Sequence, residues 1–239
     1  MTPYRYVKAR PKRHVKSRFA LGEKRKRLSL LPGVLLLGGI ILLANVTLPI
    51  IFYQLRSKAN FSQPLLSPMS RTSAQVLGEE RVIDYSEPAS WFPTAPKLPL
   101  RPSKITHYTL SIPKLKIKEA VVEIGGKDLM ESLIHYSGTA LPGQYGNVVI
   151  FGHSVLPQFF NPENYKTIFS TLPTLEKGDE VLVNFDGIEY RYQVIRMLEV
   201  DPSDTLVLAQ YYDSQYLTLI TCVPPGTYLK RLIVRAGLR

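Results

Sequence analysis

Three residues able to carry acyl-transfer chemistry stand at the ends of apolar, β-type runs. The chain's only cysteine, Cys222, closes the run YLTLITC and is followed by Val223, Pro224, Pro225 and Gly226. His153 closes NVVIFGH, and Arg231 opens the last apolar run, within LKRLIVRAGL. A deprotonated thiol is a nucleophile, and a neighbouring imidazole can take its proton and return one to a leaving group. A guanidinium stays charged and donates hydrogen bonds to a developing oxyanion. Each residue also has a plainer reading. A lone cysteine is most often a small buried hydrophobe, a strand-end histidine is usually structural, and an arginine in a C-terminal strand is usually a solvated edge charge.

Strand alternation sets which of these groups can meet. Tyr216, Thr218, Ile220 and Cys222 share one face of their run, and Leu217, Leu219 and Thr221 share the other. In the last run Arg231, Ile233 and Arg235 lie on one face and Lys230, Leu232 and Val234 on the opposite one. An antiparallel pairing through the Val-Pro-Pro-Gly-Thr-Tyr connection sets Arg231 beside Cys222. It leaves Arg235 roughly 13 Å further along, at about 3.3 Å per residue.

The elements that must position these residues occupy the last part of the chain. Residues 104–239 carry short β-type runs separated by turn signals: HYTLSIP, AVVEIG, NVVIFGH, EVLVNF, EYRYQVIRMLEV, TLVLAQ, YLTLITC and RLIVRAG. Asp186-Gly187 between two of them is a hairpin signal. Two short helical stretches are expected, Lys127–Ile134 and Asn164–Leu172. Eight strands at this spacing predict an all-β barrel or sandwich, and a closed barrel best removes exposed sheet edges.

The 239 residues carry a net charge of +11, almost all of it at the start. Residues 1–27 hold eleven Lys/Arg and one acid, Glu23, whereas the remainder is close to neutral. The basic balance therefore belongs to an arm, which argues against a nucleic-acid-binding domain. One cysteine excludes an intrachain disulfide and a thiolate-rich zinc site, and no metal or cofactor is expected. Residues 28–55 contain no charge and are long enough to cross a bilayer, which needs about 20 apolar residues. The run is too long for a cleaved signal and no small-residue cleavage site follows it. The positive flank predicts a single-pass anchor with the N-terminus cytoplasmic and everything after Arg56 outside. Residues 56–103 hold seven prolines and read as an extracytoplasmic stalk. Its aromatic patch, SWFPTAP around Trp91, reads as an isolated cluster in a solvated linker. The other option is a segment that covers a groove of the domain.

With these residues in place, the stretch Thr109–Leu238 resembles the sortases, membrane-anchored cysteine transpeptidases of the bacterial cell surface. The resemblance rests on an ordered set of blocks: LSIPKLKI, HYSGTALPGQYGNVVIFGH, TLEKGDEVLV, TLITC before a proline, and KRLIVRA. It implies an eight-stranded sortase-like β-barrel with one or two short helices, preceded by the transmembrane helix. It implies Cys222, His153 and Arg231 as catalytic residues and Thr221, Thr139, Leu141 and Pro142 as substrate-groove candidates. His135 is a candidate support for the site. The implied partners are secreted proteins bearing an LPXTG-like sorting signal, and an amine acceptor on a peptidoglycan precursor or a pilin. A peptidase that hydrolyses without transfer and a non-catalytic binding barrel are the alternatives. Ser154-Val155-Leu156 follows the histidine where many relatives have an arginine or a threonine, which blurs the subclass. The single anchor and the short tail after Arg231 look more like the anchoring and housekeeping classes than the pilin-polymerising one. The Asp-Pro-aromatic lid motif of some pilin sortases is absent.

Overall fold

The computed structural model describes residues 21–60, 84–95, 98–99 and 103–239. The basic arm up to residue 20 and most of the expected stalk lie outside the described residues. The chain falls into two compact units that divide at Thr47/Leu48. The first is the N-terminal part of a long helix, α1, which runs Leu21–Asn60. Its segment Leu31–Ser57 is long and apolar enough to cross a membrane, with a mean hydropathy of 2.5. Helix therefore extends beyond the expected 28–55 on both sides, into Lys24–Arg27 and past Arg56.

The second unit contains a closed barrel of eight strands. They are β1 His107–Ile112, β2 Ile117–Ile124, β3 Leu133–His135, β4 Gly146–Phe151, β5 Glu180–Phe185, β6 Ile188–Val200, β7 Gln215–Val223 and β8 Lys230–Leu238. Around the barrel the order is β1-β2-β3-β4-β7-β8-β6-β5, closed by β5 on β1. Two pairs are parallel, β2 with β3 and β4 with β7. The Asp186-Gly187 signal is realised as a two-residue turn between β5 and β6, both residues at positive φ (55° and 74°), which suits the twist of a hairpin. Alternate residues of the strands fill the barrel, among them Leu110, Val148, Ile150, Leu217, Leu219, Leu232 and Val234.

β4 is buried at every position and β7 from Leu217 onward, which explains why both read as apolar runs rather than alternating ones. Their outward residues Val149, Phe151, Ile220 and Cys222 join Ile233 of β8 in a second apolar cluster outside the barrel. That cluster is roofed by Trp91, Phe92, Leu129, Val207 and Leu208. Cys222 thus sits on this outer face.

The strand count of eight hides two corrections. TLVLAQ is not a strand: Thr205–Leu208 is a 3-10 turn, begun by the Asp204 carboxylate accepting from Leu206 N. The missing strand is β3, which begins at the end of the stretch expected to be helical, Lys127–Ile134. There the Asp128 side chain accepts from Met130 N at 2.7 Å, a local bond that favours a turn over an α-helix. Asn164–Leu172 is likewise turns rather than α-helix, with Asn164 Oδ1 accepting from Lys166 N, and it leads into a 3-10 helix at Leu172–Thr174.

Candidate active site

Register brings the three residues together. β7 and β8 pair antiparallel with Cys222 opposite Arg231, as the spacing across the Pro-Pro-Gly turn predicted. On the other side β4 pairs parallel with β7, Phe151 opposite Ile220. The ladder runs one rung further, Gly152 N donating to Ile220 O at 3.1 Å. Two residues past Phe151 is His153, and two past Ile220 is Cys222. Cys222 on β7 therefore lies between Arg231 on β8 and the turn after β4 that carries His153, all on the outer face. Adjacent strands are about 4.8 Å apart, within reach of side chains of this length.

The site is closed. Cys222 and Arg231 are each 1% exposed, and His153 is 8% exposed. Cover comes from Asp84–Ala95, a part of the expected stalk. This corrects the linker reading of SWFPTAP: Trp91 is fully buried and Phe92 nearly so. The Trp91 ring meets Phe151 edge-on at 5.4 Å, lies 5.8 Å from the His153 ring, and has the Arg231 guanidinium over it at 5.4 Å. Its indole N–H donates to Tyr85 O at 2.8 Å, and Tyr85 stacks on Tyr228 of the β7–β8 connection at 4.1 Å. Leu129 N donates to Ser86 O, tying the segment to the turn before β3. Burial of so large an aromatic surface is a sizeable attraction, offset by the ordering of the segment that carries it. The one signal in the sequence was the chain's only tryptophan followed directly by phenylalanine.

The arginine is held by carbonyls. Arg231 Nη1 donates to Tyr228 O (3.0 Å) and Lys230 O (3.2 Å), and Nη2 donates to Trp91 O (3.2 Å). Among the described residues, Arg231 Nε and His153 Nε2 are buried with no hydrogen-bond partner. Such groups are costly to leave unpaired, and both point to a site organised for a further polar group. Burial pushes the Cys222 thiol up to about 12, against the pull of Arg231. Burial also lowers the His153 imidazole, while the Asp128 and Asp84 carboxylates act to raise it. In this closed arrangement both members of the pair are neutral at pH 7.

The remaining candidates lie elsewhere. Thr221 is fully buried among the inward-facing positions, its hydroxyl donating to Gly152 O at 2.8 Å. Thr139 is buried and bonds Tyr136 O at 2.7 Å and the His135 ring. Leu141 and Pro142 belong to the β3–β4 connection, at the end of β4 remote from His153. His135 faces the barrel interior. Because the Thr139 hydroxyl donates to Tyr136 O, His135 Nε2 donates to Thr139 and Nδ1 accepts from Tyr108 Oη, each at 2.9 Å. Burial lowers its pKa to about 4, so it is a neutral, fully engaged interior group. Arg235 shares the face of Arg231 but is not a solvated edge charge. It is 7% exposed, donates to Val207 O at 3.2 Å, and lies over the Tyr216 ring at 5.8 Å.

The chain is similar to known proteins. The family model of the sortase domain matches residues 110–239. Among curated relatives, sortase D of Bacillus subtilis (strain 168) is 29% identical over 129 residues, 52% of this chain and 60% of that protein. Sortase A of Bacillus anthracis is 28% identical over 130 residues, 54% of this chain and 58% of that protein. The chain thus spans about three-fifths of the length of these relatives. Among solved structures, sortase C-1 of Actinomyces oris superposes with a TM-score of 0.50 at 28% identity, covering 57% of this chain and 76% of that one.

Proposed function

The chain belongs to the sortase family of cysteine transpeptidases, and from that premise we propose that it cleaves an LPXTG-like sorting signal and transfers the released protein to an amine. The observation that carries the proposal is the pairing of Cys222 with Arg231, with His153 in the turn that continues β4 alongside the Cys222 strand. Cys222 is the nucleophile. His153 takes the thiol proton as sulfur attacks the threonine carbonyl carbon of the signal. Arg231 donates to the oxygen that becomes negative. The bond to glycine breaks, His153 returns the proton to the departing amine, and a thioester remains on Cys222. An acceptor amine then attacks the thioester and gives up a proton to His153, forming the new amide as the thiol is restored. The acceptor is an amine of a peptidoglycan precursor or of a pilin lysine. Water in its place gives hydrolysis, the second reading.

Substrate entry requires Asp84–Ala95 to leave the outer face, because Trp91 covers the thiol and its carbonyl occupies an Arg231 donor. The segment acts as a lid. The apolar helix anchors the domain in the membrane, with the basic arm on the cytoplasmic side and the barrel outside.

The full-length protein in detergent, given Leu-Pro-X-Thr-Gly peptides with and without an amine acceptor, tests the proposal by mass spectrometry. The expected result is an acyl adduct on Cys222 and an amine-ligated product. Cleavage that yields only acid despite abundant amine would favour the peptidase reading. Cleavage that persists in Cys222→Ala would overturn both.

A further inference from the structure

The turn that carries His153 is joined to the nucleophile strand by side chains at the point where the backbone ladder stops. Gly152 N to Ile220 O is the last parallel rung. In a continuing ladder the next rung would run from the backbone N–H of residue 154 to Cys222 O. β4 has already ended at Phe151, and the Ser154 hydroxyl takes that place, donating to Cys222 O at 2.6 Å in a buried position. One level below, the Thr221 hydroxyl donates to Gly152 O at 2.8 Å. The two hydroxyls bracket His153 from opposite strands. Among the described residues the imidazole Nε2 has no hydrogen-bond partner, and the Trp91 ring lies 5.8 Å from the His153 ring. The ring inherits its position from the turn.

Resting on the reading of Cys222 and His153 as the reacting pair, we propose that Ser154 is a positioning residue whose hydroxyl, with that of Thr221, clamps the His153 turn to the Cys222 strand. A short side chain with a donor is what the site requires: the acceptor is the carbonyl of the nucleophile itself, so the bond ties the residue next to His153 to Cys222. Threonine at 154 preserves that donor and alanine removes it.

Removing the Ser154 hydroxyl changes no charge. The ionisable groups around the pair stay in place: Arg231 on β8 beside the thiol, and Asp84 of the covering segment and Asp128 of the turn before β3 acting on His153. A changed pH profile in Ser154→Ala therefore reports geometry.

The test is the pH dependence of iodoacetamide modification of Cys222 in the full-length protein in detergent, with thermal unfolding recorded alongside. Ser154→Ala is expected to shift the half-maximal rate to higher pH, toward the His153→Ala profile. It should also slow modification at neutral pH on the order of tenfold, as expected when a catalytic group is misplaced by a fraction of an ångström or more. Ser154→Thr should keep the wild-type profile. A lowered unfolding temperature with an unmoved profile would mean a merely structural hydroxyl and overturn the proposal, as would equal defects in the alanine and threonine variants. If Ser154→Ala does not fold, Thr221→Val takes its place, and a wild-type profile there overturns the clamp. A His153→Ala profile that superimposes on wild type would instead remove the Cys222–His153 reading itself.

Discussion

Arg231 shows how one side chain is divided between structure and chemistry. Its Nη1 is committed to the Tyr228 and Lys230 carbonyls, which fixes the guanidinium at the start of β8. Its Nη2 donates to Trp91 O, a bond that a substrate carbonyl can replace, and Nε has no partner among the described residues. Arg231→Ala should therefore lower kcat on the order of 10²-fold or more, the usual cost of an oxyanion donor. Arg231→Lys should recover only part, since an ammonium cannot hold two loop carbonyls and reach the groove with a planar fork. Steady-state kinetics with a sorting peptide checks both, and a silent Arg231→Ala would move the oxyanion role elsewhere. The pairing of Arg231 with Cys222 was legible because a short turn with two prolines and a glycine leaves little freedom between the strands. The partnership with His153 was legible only through family resemblance, because parallel partners are joined by long connections that carry no register signal. The burial of Arg235 was not legible at all. It depends on the 3-10 turn at Thr205–Leu208 folding back so that Val207 O meets the guanidinium.

The element that decides access is the Asp84–Ala95 segment. Desolvation under its cover raises the Cys222 pKa and lowers that of His153. Taking the cover away must move the two toward each other: the thiol titrates at lower pH and the imidazole at higher pH. Trp91→Ala is thus expected to raise the rate of Cys222 modification by iodoacetamide on the order of tenfold or more at neutral pH, by populating the open state. It should also shift the half-maximal rate to lower pH. An unchanged rate and profile would mean that the segment does not limit access. The sequence left this element unread for a physical reason. Proline-rich stretches lack the period that marks a buried face, so a single Trp-Phe pair must stand for the whole contact. The same limit explains β3. Three residues, Leu133–His135, are too few to show alternation, whereas TLVLAQ has the composition of a strand but is turned by the Asp204 cap. One error cancelled the other in the count of eight.

For the whole molecule, the charge asymmetry between the first 27 residues and the rest predicts topology. Protease added to intact cells should remove the barrel and leave the N-terminal arm protected; protection of the barrel until lysis would reverse the orientation. The parallel β4–β7 pairing has a further consequence, for the time at which reactivity appears. Gly152 and Thr221, joined side chain to backbone, are 69 residues apart in the chain, and β5 and β6 lie between them in sequence. Contacts of such long range form late, after the loop-closure entropy of the intervening chain has been overcome. Cys222 and Arg231 are also synthesised after the first six strands of the barrel. A nascent or half-folded chain accordingly displays a thiol with no imidazole beside it, a poor nucleophile at neutral pH. On the proposed mechanism, barrel closure is the step that brings the imidazole to the thiol, and acylation competence, once the Asp84–Ala95 cover lifts, is a report on complete folding.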